Sequence, residues 1–408
     1  MERRQTFSER FDWTLCLIIF LFFIISCIII ASAQTNNVLG INYVIRQVIF
    51  YIIGIFLIAF IMFFDPDQIK RMTWYLYGLG LFLLLMIAVI PGSTDKDSFV
   101  LIRNGAKSWF QLPGIGQLQP SEFMKIFLIL ALSRAATQHN QFTPIKTLKT
   151  DLFLLLKLGT LTIIPLGFIA TQPDLGTSLV IISIFLGIVL ISGISWKILI
   201  PAFSMVAAIG VFLIYMVLKF PDFLQEHFNF DPYQFNRIYS WLEPEKYAGS
   251  ASYQLLQSLK AIGSGMMEGK GFNERVVIIP EVHTDFIFSV IGEEWGFIGG
   301  SLIIGLYFVL IYHLTKIALN TTDSFNSYIC GGVISMITFH VLENIGMTIQ
   351  LLPITGIPLP FISYGGSALM TNMMAMGLIF SIHLHHKTYM FSSRDSIPIP
   401  KNNRKIAH

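Results

Sequence analysis

The chain has 408 residues, of which 54% are hydrophobic and only 12% charged, against about 25% charged in an ordinary soluble domain. With a mean hydropathy of +0.67 it cannot cover itself in polar side chains, which excludes a water-soluble globular protein and points to an integral membrane protein. A net charge of +3 gives no argument for nucleic acid, and the cysteines Cys16, Cys27 and Cys330 lie inside apolar runs, without disulfide or zinc-ligand spacing.

The N-terminal "MERRQTFSERFDW" precedes an apolar run too long for a signal-peptide core, so Trp13 to Ala31 reads as a retained first span. Further apolar runs lie near Val48 to Phe64, Trp74 to Ile90, Phe123 to Ala136, Leu152 to Ala170, Ser178 to Gly193, Ile198 to Leu218, Phe286 to Leu314, Ile329 to Leu351 and Ser367 to Leu384. The fourth is short and the eighth is interrupted by acids. Hydrocarbon admits only helices or closed barrels, and these runs exceed the length of a membrane strand. The expectation is an all-α polytopic protein with about ten transmembrane helices.

Basic residues in the short loops orient the chain. Arg3, Arg4, Arg10, Lys70, Arg71, Arg134, Lys146, Lys149, Lys197, Lys316 and the cations of the tail 387–408 collect on one side, which places both termini in the cytoplasm. The opposite short loops carry only Arg46, Lys96, Arg103 and Lys107. The long loop 220–284, between spans seven and eight, is then extracytoplasmic, and residues 1–408 form one membrane domain. Before the last span, "LLPITGIPLPFISYGGS" has three prolines and three glycines yet is mostly apolar. That suits a segment dipping back into the membrane, where irregular backbone is tolerated if it is buried or lines a cavity.

In this topology the densest polar motifs share the extracytoplasmic face, which implies one shared site. They are "NGAKSWFQLPGIGQLQPSEFMK", "TQPDLGTS", "PYQFNRIYSWLEPE", "YQLLQSLKAIGSG", "PEVHTDF" and the Pro/Gly segment. Asp285 is followed by Phe286, Ile287 and Phe288, so its carboxylate sits where water thins out. It suits a general base, and equally a helix cap shared with Thr284. Glu293 and Glu294 lie about 12 to 13 Å further along a continuous helix, too far to work with Asp285 on one glycosidic bond unless the helix breaks at Gly292. They suit pairing with a cation inside the bundle, and buried acids are also functional candidates.

Glu122 and Lys125 in "QPSEFMK" share a helical face and either neutralise each other or meet a polar substrate. Lys107 and Trp109 have the pattern of an interfacial anchor. Arg237, Lys260 and Lys270 are candidates for anionic groups. His283 suits a hydrogen-bonded support or a catalyst, and "HLHH" at His383 to His386 has no matching metal-ligand set.

Taken together and in order, "GAKSWF...QPSEFMK", "QPDLGTS", "YQLLQSLKAIGSG", "PEVHTDFIFSVIGEEWGFIG" and "LLPITGIPLPFISYGGS" closely resemble the SEDS family (shape, elongation, division, sporulation) of bacterial cell-wall synthesis, from about Trp13 to His386. Their spelling is nearest to the elongation members. It departs mildly in "GAKSW", where many members have Arg before Trp, in "GSGMMEGKGF" and in "YGGSALM".

The resemblance implies a peptidoglycan glycosyltransferase that polymerises lipid II outside the cytoplasmic membrane, with a class B penicillin-binding protein and other elongation-complex membrane proteins as partners. It implies a catalytic base at Asp285 and functional roles for Glu122 and Lys125. The substrate-binding set is then Lys107, Trp109, Glu122, Lys125, Arg237, Glu281, His283, Thr284, Glu293 and Ser363. A single base suffices because pyrophosphate is a good leaving group. The charge that stabilises it comes from Lys125, Arg237 or a divalent cation, Mg or Mn; no other cofactor is called for. A lipid II flippase is the rival reading, and a scaffold would leave the buried charges unexplained.

Overall fold

The computed structural model describes residues 7–34, 42–93, 98–103, 106–112, 116–172, 174–220, 238–246 and 250–392. Arg3, Arg4, Lys96, Arg237 and the tail beyond Ser392 lie outside the described residues. Every apolar run of the sequence lies on a helix. In chain order these are α1 (Trp13–Ala33), α2 (Tyr43–Met62), α3 (Pro66–Val89), α4 (Pro120–Phe142), α5 (Leu148–Ala170), α6 (Leu175–Ile191) and α7 (Trp196–Lys219). After α8 (Ser250–Ser264) come α9 (Ile287–Asn320), α10 (Ser324–Thr348) and α11 (Gly366–Ser392). Among the described residues eight helices are long and apolar enough to cross a membrane, and the chain is a multi-pass membrane protein. Of the other two helices on apolar runs, α6 is shorter, at 17 residues. The second, α4, carries Glu122, Lys125 and Arg134 and is buried almost all round, against α3, α5, α6, α10 and α11. A helix enclosed on every side needs no polar stripe.

Short polar residues start these helices by accepting the amide hydrogens that a first turn leaves unpaired. Asp12 accepts from Leu15 N at 3.0 Å, Asn42 from Ile45 N at 3.1 Å and Asp174 from Thr177 N at 2.9 Å. At the end of the bundle where α1 begins, His313 meets Asp12 at 2.7 Å and His385 meets Asp65 at 2.5 Å.

Three features shape the opposite end. The first is a small antiparallel sheet that the apolar pattern does not announce: β1 (Val100–Arg103), β2 (Ala106–Leu112) and β3 (Gly116–Leu118), in that order. It holds the "KSWFQ" motif, and its strands are too short to show as spans. The second is a break in α9 at Gly296 (φ 60°, ψ −157°), four residues beyond Gly292. The backbone groups freed there are taken up by the loop after α8. Lys270 N and Gly271 N donate to the carbonyls of Glu293 and Glu294, each at 3.0 Å, while Phe297 N and Ile298 N donate to Met266 O and Met267 O at 2.9 and 3.1 Å. A side chain at 296 would stand 2.7 Å from Met267 O, so only glycine fits. Residues 297–320 alone span about 36 Å, enough for the hydrocarbon core.

The third feature is the Pro/Gly segment. Its carbonyls at Pro360, Phe361 and Ile362 accept from the hydroxyls of Tyr307, Tyr51 (2.5 Å) and Ser26 (2.8 Å), on α9, α2 and α1. Phe361 stacks at 5.5 Å on Phe22, which lies about 16 Å down α1 from Ala33. The segment therefore dips into the bundle, with side chains doing for its backbone what a helix would do internally.

Candidate functional site

Asp285 stands just before the first turn of α9, half-buried, with Phe286 fully buried behind it. The one hydroxyl hydrogen of Thr284 is shared between Asp285 Oδ1 at 3.0 Å and Glu281 O at 2.7 Å, so the threonine ties the carboxylate to its own turn. Asn344 Nδ2, on α10, donates to Asp285 O at 2.7 Å and to Ile357 O at 2.8 Å. On the other side of the carboxylate is Gly356 (φ 76°), where an added Cβ would lie 3.6 Å from Asp285 Oδ2. His283 is fastened through its carbonyl to Tyr364 N at 2.9 Å, and its ring stacks on Tyr43 at 4.1 Å.

The motifs that the sequence scatters over the chain meet here. Gln119 Nε2 donates to Asp174 Oδ2 at 2.7 Å, and Gln119 N donates at 3.0 Å to Ser367 Oγ. Asp174 caps α6, and Gly176 in its first turn approaches the Pro/Gly segment so closely that a Cβ would lie 3.1 Å from Thr355 O. "QLQPSE", "DLGTS", "ITGIP", "YGGS" and "HTDF" thus form one continuous patch.

About 6 Å along α10 from Asn344 is His340. Lys125 Nζ lies 3.1 Å from His340 Nε2 and 2.8 Å from Glu122 Oε2, with Lys125 1% and Glu122 6% exposed. The ring's other nitrogen, Nδ1, faces the Met336 carbonyl at 2.6 Å. A carbonyl only accepts, so Nδ1 carries the hydrogen and Nε2 offers its lone pair to the ammonium. The Glu122–Lys125 pair is therefore made, and a third group holds the lysine from behind.

The remaining expected residues are placed as follows. Lys107 Nζ donates to Ala88 O at 3.2 Å at the end of α3, and Trp109 lies in β2 opposite Leu101. Ser363 Oγ accepts from Leu359 N at 2.8 Å, and Ser363 N donates back to Leu359 O at 3.0 Å, so this serine closes a turn of the dipping segment. Glu281 is exposed with φ 51°. Glu293 is 1% exposed, and its Oε1 accepts from Lys270 Nζ at 2.6 Å, Val276 N at 2.9 Å and Val277 N at 3.1 Å. Glu294 pairs with Arg275 at 3.3 Å and with Ser32. These contacts set both acids in the clasp around the α9 break. Lys260 is exposed. Among the described residues no three His, Cys, Asp or Glu side chains converge as metal ligands.

A family model for the cell cycle proteins FtsW, RodA and SpoVE matches residues 9–388. The chain belongs to this family. Among its FtsW/RodA/SpoVE relatives, the peptidoglycan glycosyltransferase MrdB of Escherichia coli K12 is 32% identical over 390 residues, 94% of this chain and 97% of its own. Stage V sporulation protein E of Bacillus subtilis is 33% identical over 83% of this chain and 86% of its own. A solved chain from a peptidoglycan synthase complex that coordinates polymerization and crosslinking matches at a TM-score of 0.73 and 27% identity, over 92% of this chain and 98% of that one. The crystal structure of the rod shape determining protein RodA of Thermus thermophilus matches at 0.64 and 27% identity, over 92% and 97%.

For this FtsW/RodA/SpoVE member, the sequence reading passed over Asn344, His340, Glu343 (buried on α10 next to Asn344), Asp174 and Gln119. The signal for the first three was available: polar groups inside an apolar span require partners.

Proposed function

We propose that this protein is a peptidoglycan glycosyltransferase that polymerises lipid II into glycan strands at the outer face of the bacterial cytoplasmic membrane, in the service of cell elongation and rod shape. Family membership and the names of its relatives support the activity. The observation that carries the reading is the Asp285 carboxylate, held by Thr284 and walled by Gly356 where five motifs converge.

Asp285 accepts the proton of the 4-hydroxyl of an incoming lipid II while that oxygen attacks the anomeric carbon of the undecaprenyl-linked glycan. The bond from that carbon to the pyrophosphate oxygen breaks, the centre inverts, and undecaprenyl pyrophosphate leaves with the electron pair. No acid is needed on the leaving side, so one carboxylate is enough. The positive charge that the departing pyrophosphate calls for comes from Lys125, from Arg237 or from a divalent cation. The described residues build no metal cage, and no step is assigned to a resident metal. A class B penicillin-binding protein cross-links the product, and other elongation-complex membrane proteins complete the assembly.

The test is polymerisation of labelled lipid II by the purified chain with its transpeptidase partner, with and without chelator, comparing wild type and Asp285→Asn. The variant is expected to make no polymer. Polymer of wild-type length from Asp285→Asn removes the residue from the chemistry, and lipid translocation without chain growth replaces the enzyme with a transporter.

A further inference from the structure

Asn344 is fully buried, and both its hydrogen-bond partners, Asp285 O and Ile357 O, are carbonyls that can only accept. The amide is therefore oriented with its nitrogen toward them. Its own oxygen, Oδ1, is left buried with no hydrogen bond among the described residues.

The two carbonyls belong to segments far apart in sequence. One carries Asp285, and the other follows Gly356, which faces the Asp285 carboxylate. The two N–H groups of one amide thus set how far the carboxylate stands from the wall of the Pro/Gly segment. Thr284 fixes the rotation of the side chain, and Asn344 fixes the backbone that bears it.

Building on the reading of Asp285 as the base, we propose that Asn344 is a positioning residue for this carboxylate, clasping the Asp285 and Ile357 carbonyls so that the base meets the acceptor hydroxyl in attacking geometry. It touches no substrate in this role. It acts on the rate of the transfer step and not on substrate affinity, because misplacement of a catalytic group by about 1 Å costs up to about a hundredfold in rate.

The experiment measures lipid II polymerisation by the full chain with its transpeptidase partner for wild type, Asn344→Asp, Asn344→Ala and Asp285→Asn. Thermal unfolding of each purified variant runs alongside. Asn344→Asp keeps the shape, removes the two donors and turns acceptors toward the carbonyls; Asn344→Ala removes the clasp. Both are expected to lower kcat by about 10- to 100-fold, with KM within about twofold of wild type; the two orphaned carbonyls lower the unfolding temperature, but it stays above the assay temperature.

A kcat near wild type in both variants overturns the proposal. So does a loss expressed wholly in KM, or one that parallels the loss of folded protein. If Asp285→Asn polymerises normally, the assignment of the base fails. If it is inert while the Asn344 variants keep their kcat, only the positioning role fails.

Discussion

Glu293 offers the sharpest separation of a structural acid from a substrate contact. Its Oε1 accepts from Val276 N, Val277 N and Lys270 Nζ, and its side chain is 1% exposed while that of Lys270 is 24% exposed. Glu293→Ala removes the acceptor of two amide hydrogen bonds in a partly exposed loop, each worth about 1 kcal/mol. It also leaves the ammonium unpaired; partial exposure lets water reclaim some of that loss, so the total is about 3 kcal/mol, at the low end for a broken buried pair. Glu293→Gln keeps an oxygen for both amides and loses only the charge, about 1 to 2 kcal/mol. Unfolding followed by the fluorescence of neighbouring Trp295 gives the stabilities, and amide exchange at Val276 and Val277 reports the loop directly. The KM for lipid II in Glu293→Gln is expected to equal that of wild type, because no substrate contact is lost. A Glu293→Ala protein of normal stability with a raised KM would refute this reasoning and return the carboxylate to the substrate.

Gly296→Ala is expected to lower stability by at least about 3 kcal/mol in thermal unfolding, because the backbone there is glycine-only and the new methyl meets Met267 O. Tyr51→Phe orphans the Phe361 carbonyl inside the bundle and is expected to cost about 1 to 3 kcal/mol by the same measurement. Glu122→Gln or Lys125→Met alone leaves one buried charge and is expected to cost about 3 to 5 kcal/mol, whereas the double variant regains much of the stability but no polymerisation. Burial pushes the Asp12 carboxyl up, but hydrogen bonds from His313 and Leu15 N and the charges of His313 and His383 outweigh it and hold the pKa below its ordinary value. A lowered folded-state pKa gives stability present above the unfolded value of 3.8 and lost as pH falls through the folded one. Unfolding temperatures of wild type and Asp12→Asn are therefore expected to differ at pH 7 and to converge in acid.

The spans were legible because apolar run length is a one-dimensional property, and each run lies on a helix. The dip of the Pro/Gly segment was legible for a related reason: its residues are too apolar for water and too rich in proline for a helix. Glu122 with Lys125 could be paired from their spacing alone. Partners set by tertiary approach could not. Nothing near Glu293 in the chain names Lys270, and nothing distinguishes Gly296 from Gly292 as the point of fracture until the loop of Met266 and Met267 lies across it. The hairpin of "KSWFQ" was hidden because strands this short leave no periodicity to count.

The cradle formed by Ser26, Tyr51 and Tyr307 has a consequence for biogenesis. Two of these hydroxyls are made early, yet the carbonyls they receive lie more than 300 residues later in the chain. At bacterial or eukaryotic translation speeds that interval is on the order of tens of seconds. A chain inserted helix by helix therefore holds the Ser26 and Tyr51 hydroxyls without these partners until the Pro/Gly segment has been made.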